Sequence, residues 1–366
     1  MGLRDPRDEI GERVRWFQAA VAAHPENVAA RNNLGVALPD LDAAIACFEE
    51  ALRLDPTFAR GQCNIGIALR DKGQLDAAIA AYRKSIDLDP NYVPAHYHLG
   101  YALMRRGDPN RAKTAFDAAI RLDPKDPQPH YHLGLALNEN GDLDGAIEAY
   151  RKAIEVDRRH VGAQNNLGAI LCDVKRDYDG AIVAFREAIR LAPKDALHYR
   201  NLGNALGGKG DLEGAIAAYQ EAIRLDPKHA PAYNGLGIAL QEKGNTDGAI
   251  KAFRDAIWAD PNFPAAHNAL AWLLAAGPSQ VRDGKRAVRH ATQACELTAW
   301  QNPGPIDTLA AAHAEAGNFE KAIEFQKMAL SFPDFQKADG KGGQERLDLY
   351  ERKMPYRDPV LTRIKD

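Results

Sequence analysis

The residues best suited to chemistry in this chain are histidines in a repeated segment, HYHLG, at 96–100 and again at 130–134. Imidazoles in pairs suggest metal ligation or acid–base work. Spacing argues against a shared metal. His96 and His98, like His130 and His132, are two residues apart, ~200° around a helix, so one copy cannot turn both toward one ion. No nucleophile stands in a spacing with a base and an orienting group that would support catalysis. The four cysteines, Cys47, Cys63, Cys172 and Cys295, lie far apart without a CxxC pair, and read as small buried or half-buried thiols. GKGGQ at 340–344 lacks the GxxxxGK[ST] spacing of a phosphate loop and reads as a flexible link. The expectation is a chain with no catalytic residue, cofactor or metal of its own.

The elements that carry these histidines follow one pattern. In the stretch 59–92, ARGQCNIGIALRDKGQLDAAIAAYRKSIDLDPNY, Ile65, Gly66 and Leu69 give a first helix an apolar or tiny face. Ile79, Tyr82 and Ile86 give a second helix its own. Gly73 sits between them, where a left-handed residue closes a helix without a Cβ clash. Pro90 ends the second helix, because the residue before proline is driven out of the helical region. Gly66 and Ala78 fall where two such helices approach most closely. A hairpin of this kind leaves apolar edges uncovered and needs copies of itself on both sides.

The copies are present. Glycines following leucine or isoleucine recur at 35, 66, 100, 134, 168, 203 and 237, at intervals of 31, 34, 34, 34, 35 and 34 residues. The irregular intervals fall in turns: Pro39 shortens the first, and DVKRDYDG lengthens the fifth. Asp108, Asp142, Asp211 and Asn245 follow glycines as N-caps, and Pro109 suits a first helical position. Before the copies, Trp16, Phe17, Ala20 and Val21 suggest one face of a lone helix. After Pro264 the pattern loosens, with Ala271 and Ala310 in the glycine slot. ERLDLYERKMPYRD then reads as a short capping helix, with Leu347, Leu349 and Tyr350 covering the last hairpin.

A 34-residue period carrying L-G, then alanine, an aromatic and a small residue (Leu133, Gly134, Leu137, Ala146, Tyr150 and Ala153 in the fourth copy) resembles the tetratricopeptide repeat (TPR) family. The resemblance spans roughly 8–336 and is similar to bacterial multi-repeat TPR proteins. It implies an all-α, right-handed superhelix, an α-solenoid, of about nine helical hairpins with terminal capping helices. The expected organisation is an N-terminal segment and half-repeat over 1–27, seven regular units over 28–263, two divergent units over 264–336, and a linker with a capping helix over 337–366. Leu133 is expected to be buried between the two helices of its hairpin.

The resemblance also implies a site. The residue before the marker leucine faces the concave groove in TPR proteins. In O-linked N-acetylglucosamine transferases asparagines there hold peptide backbone, and the matching positions are Asn33, Asn64, Asn166 and Asn201. His98, His132, Gly235, Ala269 and Thr308 depart from that ladder. Arg200 and Asn204 have the spacing of a carboxylate clamp for chaperone C-termini, without a lysine in the following copy. Tyr97, His98 and Tyr101, then Tyr131, His132 and Leu135, form an aromatic cluster suited to anchor a partner segment, unless the tyrosines pack between hairpins. Protonation of the two histidines near ~6.5 would then strengthen binding to an acidic segment.

With 47 Lys and Arg against 50 Asp and Glu, the net charge of −3 gives no field to steer the chain onto nucleic acid or an anionic membrane. The start, MGLRDPRDEI, lacks the apolar core of a signal peptide, and Pro6 stands where a myristoylation motif wants Ser or Thr. No apolar run approaches the ~18 residues a membrane span requires. The sequence therefore reads as a cytoplasmic, non-catalytic scaffold binding a protein or peptide partner. The alternative is the substrate-binding arm of a glycosyltransferase or protein kinase whose catalytic domain lies on another chain.

Overall fold

The computed structural model of the chain describes residues 6–362, and among them every regular element is a helix. Two compact units divide the chain, Met1–Leu167 and Gly168–Asp366. In the first, α1 (Pro6–Ala23) precedes four pairs: α2 (Val28–Ala37) with α3 (Leu41–Leu54), α4 (Ala59–Asp71) with α5 (Leu75–Leu88), α6 (Val93–Arg105) with α7 (Pro109–Leu122), and α8 (Pro127–Glu139) with α9 (Leu143–Val156). The division falls inside α10 (Val161–Asp173). The second unit continues with α11 (Tyr178–Leu191), α12 (Ala196–Lys209), α13 (Leu212–Leu225), α14 (Ala230–Glu242), α15 (Thr246–Ala259), α16 (Pro264–Ala276) and α17 (Gly284–Leu297). It closes with α18 (Pro303–Glu315), α19 (Phe319–Leu330), α20 (Pro333–Glu351) and the short α21 (Pro359–Thr362).

Each of the seven pairs up to α14 and α15 is locked by a glycine under an aromatic ring. A Cβ on Gly66 would lie 2.5 Å from the Tyr82 ring, and one on Gly100 2.6 Å from Phe116. The rings are fully buried, as are Ala78 and Ala112 beside them. This is the close approach that the glycine and alanine positions implied. At the turn, Gly73 takes φ +79°, and the next amide, that of Gln74, donates to the Leu69 carbonyl at 2.9 Å. That bond satisfies a carbonyl the helix end leaves open. In the lengthened turn of the second unit a non-glycine residue, Arg176, holds the left-handed conformation at φ 53°.

The punctuation is local chemistry. Asp142 and Asp211 each accept the amide three residues on, at 3.0 and 2.9 Å, which caps the second helix of the pair. The aspartate of each LDP segment is extended, and its carboxylate accepts the amide two residues later, as Asp89 does from Asn91 at 2.9 Å. Asp157 makes the same turn without a following proline.

Three expectations are corrected. Leu133 is half-buried, not buried between its own two helices: it packs against the cluster of Ala102, Phe116 and Ala136, which draws on the preceding pair. Buried Leu137 instead lies one turn farther along α8. Trp16 is 68% exposed and meets the half-buried Phe17 ring edge-on at 5.0 Å, because it lies ~100° around α1 from that neighbour. GKGGQ is not a link but helix, part of α20 beyond a kink at Asp339. Its small residues have a reason: a Cβ on Gly343 would meet Leu330 at 2.9 Å and Phe335 at 3.0 Å. Leu347 and Tyr350 are buried, with Leu349 packed beside them.

Candidate functional site

Two of the clefts open at one helical register. Counting from the marker glycine of each first helix, the residues three and two before it and one, four and five after it share one face. In the first unit that face lines a cleft of about 360 Å³ formed by Arg70, Asp71, Tyr97, His98, Tyr101 and Arg105. Arg70 sends Nε and a terminal nitrogen to one oxygen of Asp71, at 2.9 and 2.8 Å, and its guanidinium lies 5.7 Å over the Tyr101 ring. Arg105 is exposed and, among the described residues, forms no ion pair. His98 stacks on Tyr82 at 5.8 Å, and burial, with Arg70 nearby, pulls its pKa down to about 4. Its ring is therefore neutral at physiological pH. His132 sits edge-on to Tyr97, Tyr101 and Tyr131 at 5.4, 5.6 and 5.1 Å. It donates from Nδ1 to the Gln128 carbonyl at 3.0 Å, and burial lowers its pKa as well. The expected gain of positive charge near pH 6.5 is thus overturned by desolvation, which disfavours the charged ring.

The same register opens a second cleft, of about 440 Å³, wholly within the second unit. Asp173, Asn204, Gly207, Gly208, Gly235, Ile238 and Glu242 line it, with Arg176, Tyr178 and Tyr219 at its edges. The glycines hollow it. Tyr219 lies between Gly203 and Gly235, where a Cβ on either would come within 2.6 Å of the ring. Its hydroxyl donates to Asn204 Oδ1 at 2.8 Å, and burial pushes the phenol up to about 12, so it stays a donor. Of the sequence-derived site residues only Asn204 borders this cleft. Gly235 stands where the earlier copies carry asparagine or histidine, and Gly207 and Gly208 are adjacent glycines in the last turn of α12. Those were the available signals.

A family model described as the cilia and flagella-associated protein 70 C-terminal domain matches residues 57–257, more than half of the chain. Tetratricopeptide repeat models match 34–58 and 234–283. The chain belongs to the tetratricopeptide repeat family. No curated protein matches it. Among solved structures, MamA 41-end from Desulfovibrio magneticus RS-1 is 28% identical over 47% of this chain and 96% of its own, with a TM-score of 0.44. A further MamA structure is 31% identical over 47% and 93%, at 0.44. Yeast Tom70 is 16% identical over 95% and 88%, with a TM-score of 0.50, a likeness of fold alone.

In this TPR chain several pre-leucine positions are occupied by internal bonds. Asn64 Nδ2 donates to Asn32 Oδ1 at 2.7 Å, and Asn32 in turn to Asn33 at 3.4 Å, with Asn33 itself exposed. Asn166 donates to the Tyr131 hydroxyl at 3.4 Å. Tyr131 is wedged against Tyr150 and His160, at 5.9 and 4.6 Å, so it belongs to the packing between hairpins and not to the cleft. Asn201 is buried, and Arg200, half-buried in the second unit, has an Nε without a hydrogen-bond partner among the described residues. The residue in the early aromatic slot ties its helix to the preceding turn. His96, His130 and His267 each donate from Nε2 to the carbonyl of the proline six residues back, at 2.8, 3.3 and 3.1 Å. Tyr199 reaches the Pro193 carbonyl in the same way at 3.3 Å. His96 and His98 thus serve different neighbours, as residues two apart on a helix must.

Proposed function

We propose that this TPR chain is a partner-binding scaffold, and that the first unit's cleft anchors an extended segment carrying an acidic group beside an apolar or aromatic side chain. The observation that carries the reading is the juxtaposition of Arg70, Arg105, Tyr97 and Tyr101 on one face, two guanidiniums against the single carboxylate of Asp71. Tyrosine offers apolar area with a polar end, and arginine recognises carboxylates in a fixed fork, which together are the composition of binding anchors. Asn33, exposed at the flank, offers a donor and an acceptor to peptide backbone. With the His98 ring of the cleft held neutral by burial, binding is expected to vary little between pH 6 and 8.

The test is affinity capture with the full chain, compared with a variant carrying Tyr101→Ala and Arg105→Glu. One side chain is half-buried and the other exposed, so helicity by circular dichroism should match the parent. A partner identified by capture is then titrated against both. Loss of two anchors should weaken it by ~30-fold or more, since a single hot spot is worth ~2 kcal/mol. A partner that binds both forms with the same Kd places the site elsewhere.

A further inference from the structure

The same register recurs in α16 and α18 of the second unit, and there it is occupied. Counted from Ala271, the face positions are Trp272, Ala275 and Ala276; counted from Ala310, they include Asp307 and Glu315. After α20 the chain turns at Lys353, φ 58°, and runs back over these residues without regular structure as far as α21. The Tyr356 ring lies 5.8 Å from that of Trp272, and Trp272 Nε1 donates to Asp358 Oδ2 at 3.0 Å. Arg357 pairs with Glu315 at 2.6 Å, and the Asp358 amide donates to the Ala276 carbonyl at 3.0 Å. That carbonyl is among the last of α16, which have no partner within their own helix. Leu361 is buried, whereas Val360 is exposed.

These contacts recognise a segment by four separate means: an aromatic on an aromatic, an arginine on a glutamate, an aspartate on an indole N–H, and main chain on a helix end. We propose that the face of α16 and α18 is a peptide-binding site for segments of the form aromatic-Arg-Asp-Pro-x-Leu, and that residues 356–361 are its resident ligand in cis. Arg346 supports the seat from below. Its Nε binds Asp307 at 2.9 Å, a terminal nitrogen binds Asp339 at 2.6 Å, and its guanidinium lies within 6 Å of both rings, at 5.9 Å from Trp272 and 5.6 Å from Tyr356. A short tether gives an effective concentration on the order of millimolar, so an affinity of ~100 µM in trans would keep the segment seated roughly ten to one. A segment of the same chemistry from another chain can therefore compete for the face without the site being permanently closed. This inference stands independently of the first unit's cleft.

The experiment uses the full chain and a fluorescein-labelled peptide of residues 353–362, KMPYRDPVLT, read by fluorescence anisotropy. In one variant, Arg357→Glu with Asp358→Lys, the resident segment is released by charge reversal. The released chain should bind the wild-type peptide at least tenfold more tightly than the unaltered chain does, and should not bind a peptide carrying the same two reversals. Adding Trp272→Phe, which keeps a ring but removes the N–H donor, should cost a further several-fold. The proposal is overturned if the released chain, at wild-type helicity, gains no affinity, or if the reversed peptide binds equally well. Should the double variant lose helicity, Arg357→Ala alone, a change at a half-buried side chain, makes the same comparison.

Discussion

Two of the open clefts, one in each unit, share a register and differ in finish. In the first unit the face carries Arg70, Tyr97, His98, Tyr101 and Arg105, and is lined by rings and guanidiniums. In the second, glycines at 207, 208 and 235 strip the same positions, so that the rings of Tyr178 and Tyr219 press against helix backbone. The charges are opposed as well: Arg70 and Arg105 face Asp71 in one, whereas Asp173 and Glu242 face Arg176 in the other. The repeat therefore decides where these two clefts form, because helix periodicity returns the same positions to one face in every copy. A handful of side chains at those positions then decides what the cleft can bind.

The comparison is broken most severely in the packing beneath the first cleft. Phe116 is fully buried beneath Gly100, with Tyr97 and His132 packed on it at 6.2 and 5.8 Å. Phe116→Ala should cost ~3–5 kcal/mol, whereas half-buried Leu133→Ala should cost clearly less. Because each repeat leans only on its neighbours, chemical denaturation of the first variant should separate into two transitions. A single transition at wild-type midpoint would show that the ring does not support the hairpin beneath the cleft.

Next comes the histidine that only the first cleft contains. Burial lowers the His98 pKa to about 4 in the folded chain, against ~6.5 when unfolded. Between these values the unfolded chain binds more protons, so the stability contributed by the neutral ring is intact above pH 6.5 and is lost as pH falls toward 4. The full shift corresponds to roughly 3 kcal/mol. An NMR titration should place the His98 midpoint near 4, and a midpoint at 6 or above would mean the ring is open to solvent. His290, in the second unit, is also drawn down to about 4 by burial, so the resonance must be assigned with a His98→Asn variant.

The smallest effect tests the hollowing. Gly235→Ala would place a Cβ 2.6 Å from a Tyr219 ring that Gly203 confines on another side and Asn204 holds by its hydroxyl. Overpacking of this kind should cost ~1–3 kcal/mol in the denaturation midpoint. An unchanged midpoint would show that Tyr219 can swing away, and that the second cleft is not shaped by its glycines.

The sequence alone determined the repeat, the helical hairpin, the left-handed turn at Gly73, the aspartate caps and the closeness of Gly66 to the facing helix. All of these depend on residues within one 34-residue copy, where periodicity, capping and sterics act over a few positions. Tertiary structure alone decided whether each aromatic of the HYHLG segments faces a cleft or a neighbouring hairpin: Tyr97 does the first, and Tyr131, under Asn166 and against His160, the second. It also made GKGGQ helical by seating Gly343 against Leu330 and Phe335, and it laid the C-terminal segment over α16. Trp272 and Asp358, which join in that contact, are 86 residues apart. No local pattern encodes such a pairing, because burial, desolvation and charge complementarity arise only when distant side chains share one surface.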